Sequence, residues 1–174
     1  MRRVLSLALL LGSAASADWT QAGNATAAFK ASTNVAMKVN GESDKLAVSS
    51  DGKALHFALA LKNLGTGMSL RDSHMLDALE ADKHPDVTLD VPLEALKVPA
   101  DGASGSGEAM GQLGLHGVTK ELTFKYTANC KAGACDVEGA AEINTADHGV
   151  KMPSHLGITV KPVVAIQVKF QVKR

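Results

Sequence analysis

The chain has 174 residues, and its 18 Lys and Arg residues balance 18 Asp and Glu residues, so the formal net charge is zero. Phosphate backbones are held by an excess of positive charge, and aromatic residues, the usual stacking platforms for bases, make up only 3% of the chain. This composition argues against nucleic acid as a partner, and the length favours one domain with a core of its own.

The first seventeen residues are predicted to be a secretory signal peptide, with cleavage before Asp18. Two arginines at positions 2 and 3 precede an apolar run over residues 4–11, and small residues follow that run. The run is too short for a transmembrane helix, which needs about 20 apolar residues, so no stable membrane insertion is expected. We therefore expect an exported protein in which residues 18–174 form one domain.

Most of the chain from Phe29 onward alternates apolar and polar residues, which is the pattern of strands with one buried face. The clearest case is residues 53–63, where three leucines and a phenylalanine share one face and smaller residues share the other. That pattern leaves open which face turns inward. Further strands are predicted at residues 35–39, 46–50, 87–96, 109–115, 121–129, 136–143 and 164–172.

Turn-forming residues separate the predicted strands. The stretch 101–107, rich in Gly and Ser, is expected to be a flexible loop within the domain. The predicted turns are residues 40–42, 51–52, 101–102 and 117–119.

One short helix is predicted at about residues 71–82, in a stretch that otherwise interrupts the strands. Apolar residues at positions 68, 75, 76 and 79 recur at helical spacing. Pro85 disfavours helical geometry in the residue before it, so we expect the helix to stop short of it and a strand to begin at Val87.

About eight antiparallel strands with this alternation are typical of a sandwich or a closed barrel. Closure is favoured because it removes exposed strand edges, and a barrel of this size is filled by side chains or shares its interior with one small ligand. Since several strands are roughly nine or ten residues long, the sequence predicts an all-β, antiparallel, extended barrel with one short helix.

Three segments resemble motifs of the YceI-like family. They are "RDSHML" followed by "KHPDVTLDV" (residues 71–76 and 83–91), "GQLGLHGVTKELTF" (111–124) and "INTADHGV" (143–150). The resemblance covers nearly all of residues 18–174 and implies a lipocalin-like barrel in the periplasm. It further implies that the interior holds an isoprenoid lipid, such as a polyprenyl compound or a quinone tail, with no other cofactor. The strands contain fewer phenylalanines than is usual in that family.

The apolar faces of the strands are predicted to form the barrel interior whether or not anything binds there. Many alanines and few aromatic residues in a long barrel favour a ligand cavity over solid packing, and both interpretations stay open. The predicted interior residues are Leu55, Phe57, Leu59, Leu61, Val87, Leu89, Val91, Leu113, Leu115, Leu122, Phe124, Tyr126, Ile143, Val164, Ile166 and Val168.

Arg71, Asp72, His74 and His116 are candidates for recognising a ligand headgroup at the mouth of the barrel. A guanidinium matches phosphate or carbonyl oxygens well, but Arg71 and Asp72 are also expected to pair and fix the start of the helix. A metal site is not expected, because these histidines and His148 lack the close spacing of metal ligands.

Cys130 and Cys135 are separated by four residues, which allows a disulfide across a hairpin turn in an oxidising compartment. Free thiols and a redox or metal role are the alternatives. The spacing favours the structural bond.

Catalytic motifs such as GxSxG, the P-loop, GxGxxG and HExxH are absent from the sequence, so an enzyme is not expected. The favoured hypothesis is a non-enzymatic isoprenoid carrier or storage protein. The alternatives are an envelope-stress module with a filled core and, less favoured, a hydrolase using His74 or His116. Whether the chain is a monomer or a homodimer is left open.

Overall fold

The computed structural model describes residues 18–174, with the side chain of His155 excepted, so the predicted signal peptide lies outside the described residues. The helix α1 covers Ser69–Ala78, and short 3-10 turns cover Leu61–Asn63, Leu93–Ala95 and Thr145–His148. The strands are β1 Thr20–Gln21, β2 Thr26–Thr33, β3 Lys38–Ser43, β4 Ala47–Ser50, β5 Ala54–Ala60, β6 Asp86–Pro92, β7 Ser104–Leu115, β8 Val118–Lys131, β9 Ala134–Asn144, β10 Ser154–His155 and β11 Ile158–Lys173.

Within the described residues, all eleven strands belong to one antiparallel sheet. Their order is β3-β2-β11-β9-β8-β7-β6-β5-β4, and the two-residue strands β1 and β10 each pair with β11. The sheet curls around its apolar face as a half-barrel of the lipocalin type. This confirms the predicted all-β, antiparallel class with one helix.

The strands β3 and β4 are the two edges of the sheet. Two local contacts bridge the gap between them. The backbones of Glu42 and Gly65 exchange hydrogen bonds of 2.9 and 3.1 Å. At the other side of the gap, the side-chain oxygen of Gln21 in β1 accepts a hydrogen bond from the Val48 nitrogen at 2.8 Å. A loop and a short strand thus take the place of a continuous ladder.

The leucine face of β5 turns inward, which answers the question that the alternation left open. Leu55 and Leu59 are buried, whereas Ala58 between them is exposed. Burying the larger apolar side chains removes more hydrocarbon surface from water, about 25 cal/mol per Å². The same alternation in β7, β8 and β11 lines the concave side of the sheet.

The turn predicted at residues 40–42 is wrong, because those residues lie within β3. The chain turns earlier, at residues 34–37, where Ala36 has a φ of 61° and the Thr33 hydroxyl accepts a hydrogen bond from the Met37 nitrogen. Gly41 serves the packing instead: a Cβ atom there would collide with the ring of Phe29. The glycine at this position therefore provides space for a neighbouring ring and does not form a turn.

The flexible loop predicted at residues 101–107 is also partly wrong, because β7 already begins at Ser104. A Cβ atom on Gly107 would lie 2.8–3.0 Å from ring and hydroxyl atoms of Tyr126, and one on Gly105 would lie 3.0 Å from Pro99. These glycines make room for neighbouring side chains within a regular strand.

The helix begins and ends earlier than predicted, at Ser69 and Ala78 instead of 71 and 82. Glu80 has a φ of 47°, a left-handed conformation that a continuing helix does not adopt. Leu79 packs against the buried residues Leu113, Leu115 and Ile143, so the segment after α1 covers one end of the core. No helix among residues 18–174 has the length and apolar character needed to cross a bilayer.

Candidate binding site inside the curled sheet

An apolar cavity of about 210 Å³, called the tunnel from here on, lies on the concave side of the sheet. Its walls consist almost entirely of aliphatic and aromatic side chains, with Phe57 and Phe170 meeting edge to face at 5.1 Å between ring centroids. This volume is below the roughly 300–1,000 Å³ typical of pockets for compact ligands. The space therefore suits an apolar group of small volume.

All but three of the predicted interior residues line the tunnel. The exceptions are Leu61 in the 3-10 turn after β5, Leu115 at the end of β7 and Val164 in β11. Leu61 and Leu115 are buried outside the tunnel wall. The thirteen that line it are Leu55, Phe57, Leu59, Val87, Leu89, Val91, Leu113, Leu122, Phe124, Tyr126, Ile143, Ile166 and Val168.

Sequence reasoning missed several lining residues, each for a local reason. Phe170 shares the alternating apolar face of Ile166 and Val168, so the pattern offered a signal for it. Trp19 precedes the first strand and belongs to no periodic pattern. The other missed apolar side chains include Leu46, Leu64, Leu93, Leu96, Val98, Val137 and Val172.

Small residues on one side of the wall leave the tunnel open. Ala27 of β2 lies opposite Val168, and Ala128 of β8 lies opposite Val137. Gly139 of β9 also contributes, since a Cβ atom there would come 2.9 Å from a methyl carbon of Val168. Larger side chains at these positions would occupy the space that the tunnel now provides.

At one end of the tunnel, the segment between β6 and β7 is tied to the sheet through Tyr126. The backbone nitrogen of Lys97 donates a hydrogen bond of 2.6 Å to the Tyr126 hydroxyl. Lys97 also lines the tunnel while its side chain remains exposed, which places a cation at the rim.

A second cation lies at this end. The guanidinium carbon of Arg174 is 4.5 Å from the ring centroid of Trp19, a cation–π geometry, and the ring lines the tunnel. The Arg174 nitrogen donates to the Gly133 carbonyl, and the Gly133 nitrogen donates to the carboxylate of Asp101. These bonds connect the C-terminus, the β8–β9 turn and the segment that carries Lys97.

The predicted headgroup residues do not line the tunnel. Asp72 accepts hydrogen bonds from the Thr66 nitrogen and hydroxyl, at 2.7 and 2.5 Å, which holds the loop before α1. These bonds lower the pKa of Asp72, and the nearby charge of Arg71 lowers it further. Arg71 itself contacts the sulfur of Met68, and His74 is exposed on α1.

His116 lies apart from that group, in the turn between β7 and β8. His116 and Gly117 have φ values of 53° and 73°, the left-handed pair required by a two-residue hairpin turn, so the turn predicted at 117–119 begins one residue earlier. The His116 Nδ1 is 3.0 Å from the His148 carbonyl, and its ring stacks edge-on against His84. The turn thus packs against the segment after β9.

Glu80 approaches the same histidines, with a carboxylate oxygen 3.9 Å from the Nε2 of His116. Its hydrogen bond with Lys83 is the main cause of a lowered pKa, to which the charges of His116 and His84 add. Among residues 18–174, no group of three or more His, Cys, Asp and Glu side chains is arranged to hold a metal ion.

Cys130 and Cys135 form the predicted disulfide. They lie opposite each other in the β8–β9 hairpin, with their Cα atoms 4.0 Å apart, around a tight turn at Ala132 and Gly133. Both cysteines are buried, and Cys135 also lines the tunnel. The bond therefore holds together the end of the sheet that carries the rim.

A comparison with family models matches residues 18–172 to the YceI-like domain. No curated protein matches the chain. A polyisoprenoid binding domain from Saccharophagus degradans, implicated in plant cell wall breakdown, has a similar structure, with a TM-score of 0.74, 18% identity, and coverage of 89% of this chain and 97% of that one.

Two further solved structures have the same fold. BcnA from Burkholderia cenocepacia has a TM-score of 0.68 at 14% identity, with coverage of 84% of this chain and 95% of that one. The YCEI protein of Campylobacter jejuni has a TM-score of 0.59 at 16% identity, with coverage of 78% and 85%. At these identities, the likeness establishes the fold.

Proposed function

Because this chain belongs to the family of YceI-like domains, we propose that it is a carrier or storage protein that encloses the tail of an isoprenoid compound in its tunnel. The candidate ligands are polyprenyl compounds and quinones with isoprenoid tails. The Saccharophagus degradans relative, described as a polyisoprenoid binding domain, supports this ligand class. The role is binding and not catalysis.

The observation that carries the proposal is the apolar tunnel itself. An isoprenoid tail offers no hydrogen-bonding groups and needs none, because each methylene-sized group moved out of water contributes about 0.8 kcal/mol. A tunnel lined by Leu59, Leu89, Phe124 and similar side chains supplies that environment along its length.

The volume of the tunnel limits how much of a ligand can enter it. The cavity of about 210 Å³ is smaller than the roughly 300–1,000 Å³ typical of ligand pockets. A long polyprenyl chain therefore enters only in part, or else the segment around Lys97 moves aside. The headgroup then lies outside the apolar walls, at the rim.

The proposed location is the periplasm, which rests on the predicted signal peptide and on the family. The disulfide between Cys130 and Cys135 supports an oxidising compartment, since such bonds are rare in the cytosol.

The test uses a pair of matched alanine-to-leucine variants. Ala128→Leu adds bulk inside the tunnel, whereas Ala58→Leu adds the same bulk at an exposed position of β5. Native mass spectrometry of protein purified from its host is expected to show a lipid-sized mass on the wild type and on Ala58→Leu, and little on Ala128→Leu. Thermal melting verifies that both variants fold, and Ala27→Leu is the second choice if Ala128→Leu does not.

Trp19 provides an independent readout, because it is the single tryptophan of the chain and lines the tunnel. Quinones quench indole fluorescence on contact, so titration with a quinone bearing a short isoprenoid tail is expected to quench Trp19 in the wild type. Wild-type protein that carries no lipid and shows no quenching would overturn the proposal in favour of a module without a ligand.

A further inference from the structure

Three large apolar side chains project into solvent from two adjacent turns. Val35 and Met37 belong to the β2–β3 turn and are 57% and 51% exposed, and Leu156 in the β10–β11 turn is 89% exposed. Single exposed apolar residues are common on proteins, but such a group marks an interaction surface. Residues 34–38 and 151–161 are together called the tip.

The two turns of the tip are held together by one asparagine. The Asn34 side chain donates to the Gly157 carbonyl at 2.9 Å and accepts from the Thr159 nitrogen at 3.0 Å. The Asn34 backbone nitrogen also donates to the Thr159 carbonyl at 3.0 Å. The apolar side chains are therefore presented by one cross-linked unit and not by two independent loops.

The formally charged side chains within the tip are all lysines. Lys38 follows Met37 directly, and Lys151 and Lys161 flank the second turn, where the Val160 nitrogen bonds to the Pro153 carbonyl. Asp18 apart, every Asp and Glu of the chain lies within residues 42–147, so neither turn contains a carboxylate. This asymmetry is pronounced in a chain whose net charge is zero.

We propose that the tip docks onto the surface of an anionic lipid bilayer, with Val35, Met37 and Leu156 entering the interfacial layer. Apolar side chains beside lysines are the combination that binds such surfaces, because burial and attraction to anionic headgroups act together. A second copy of the chain is a poor occupant, since two tips face to face would bring lysines against lysines. The proposal goes beyond ligand binding and does not depend on the tunnel.

The test is co-sedimentation with vesicles of equal parts phosphatidylglycerol and phosphatidylcholine, at low salt. We expect the wild type to sediment with these vesicles but not with phosphatidylcholine alone. The triple variant Val35→Ser, Met37→Ser, Leu156→Ser is expected to bind at least tenfold more weakly. The triple variant Lys38→Gln, Lys151→Gln, Lys161→Gln is expected to show a comparable loss.

Control variants carry changes of the same kind away from the tip. Met110→Ser removes an exposed methionine of β7, and Lys53→Gln, Lys125→Gln, Lys131→Gln removes three lysines elsewhere. These controls, and the tunnel variant Ala128→Leu, are expected to bind vesicles like the wild type. Absence of wild-type binding, equal binding by the tip variants, or a dimer that the serine variant abolishes in place of vesicle binding would each overturn the proposal.

Discussion

The Tyr126 hydroxyl accepts a hydrogen bond of 2.6 Å from the Lys97 nitrogen and thereby fastens the segment before β7 over one end of the tunnel. Tyr126→Phe removes that bond and keeps the ring. We expect the free energy of unfolding to fall by about 0.5–1.5 kcal/mol, the usual contribution of one hydrogen bond. The exchange of the Lys97 amide is expected to accelerate. Denaturant unfolding and hydrogen exchange measure these effects, and unchanged exchange at Lys97 would contradict the assignment.

Lys97 at the rim is expected to favour anionic headgroups. If the proposed ligand class is right, Lys97→Gln weakens the binding of farnesyl diphosphate by up to about fivefold, the scale of an exposed ion pair. The binding of farnesol, which has the same tail and no charge, is expected to stay the same. Fluorescence titration measures both affinities, with Lys53→Gln as the control. An equal loss for both ligands would instead indicate a structural effect.

Gly41 is expected to be intolerant of substitution because the ring of Phe29 occupies the space of a Cβ atom. Gly41→Ala forces the ring or the strand to move, at a cost of about 1–3 kcal/mol in the free energy of unfolding. Gly65→Ala is the control, since its nearest neighbour would lie 3.8 Å away, an ordinary contact. Thermal or denaturant unfolding compares the two, and equal stabilities would show that Phe29 adapts without cost.

The disulfide is expected to stabilise the rim end of the sheet. Replacing Cys130 and Cys135 together by serine removes a short loop closure, which contributes about 2 kcal/mol in the chain-entropy model. Denaturant unfolding measures this loss, and a reducing agent added to the wild type should reproduce it. A reduced wild type as stable as the oxidised one would show that the β8–β9 hairpin needs no covalent bond.

His56 is expected to make stability depend on pH. Its Nδ1 lies 2.7 Å from the Asp90 carboxylate, and this bond, helped by Asp51, raises its pKa above the ordinary value of 6.5. A raised pKa contributes stability that is fully present below 6.5 and is lost as the pH rises through the higher folded-state value.

The pair is exposed, so the contribution is below about 1 kcal/mol. Compared with His56→Gln, the wild type should therefore melt at a higher temperature near pH 5.5, and the difference should shrink near pH 8.5. Melting curves at both pH values measure this difference. A gap that stays constant or widens with pH would refute the role of the charged imidazole.

Much of the fold was predictable because strand alternation is a local property. The leucines of β5 lie on every second residue and therefore share one face of the strand, although the pattern left open that this face turns inward. The family motifs around the helix and the β7–β8 turn were readable for the same reason. The disulfide was predictable too, since Cys130 and Cys135 are close enough in sequence to face each other across one tight turn.

The wrong predictions concern residues whose role depends on a contact with a residue distant in the sequence. Gly41 and Gly107 resemble turn residues in isolation, but each makes room for an aromatic ring from another strand. The alanine-rich strand β2 was not predicted, because its alternation has little contrast and its place is set by pairing with β11.

The sequence by itself determined most of the strands and the family, because these depend on side-chain period and on short motifs. Only the tertiary structure decided how much space remains inside the sheet and which residues lie at its rim. The cavity volume depends on how side chains from many strands pack together. Ala27, Ala128 and Gly139 therefore leave space in the cavity only because of the side chains around them. The position of Lys97 likewise depends on Tyr126, 29 residues away, a distance over which no local pattern carries information.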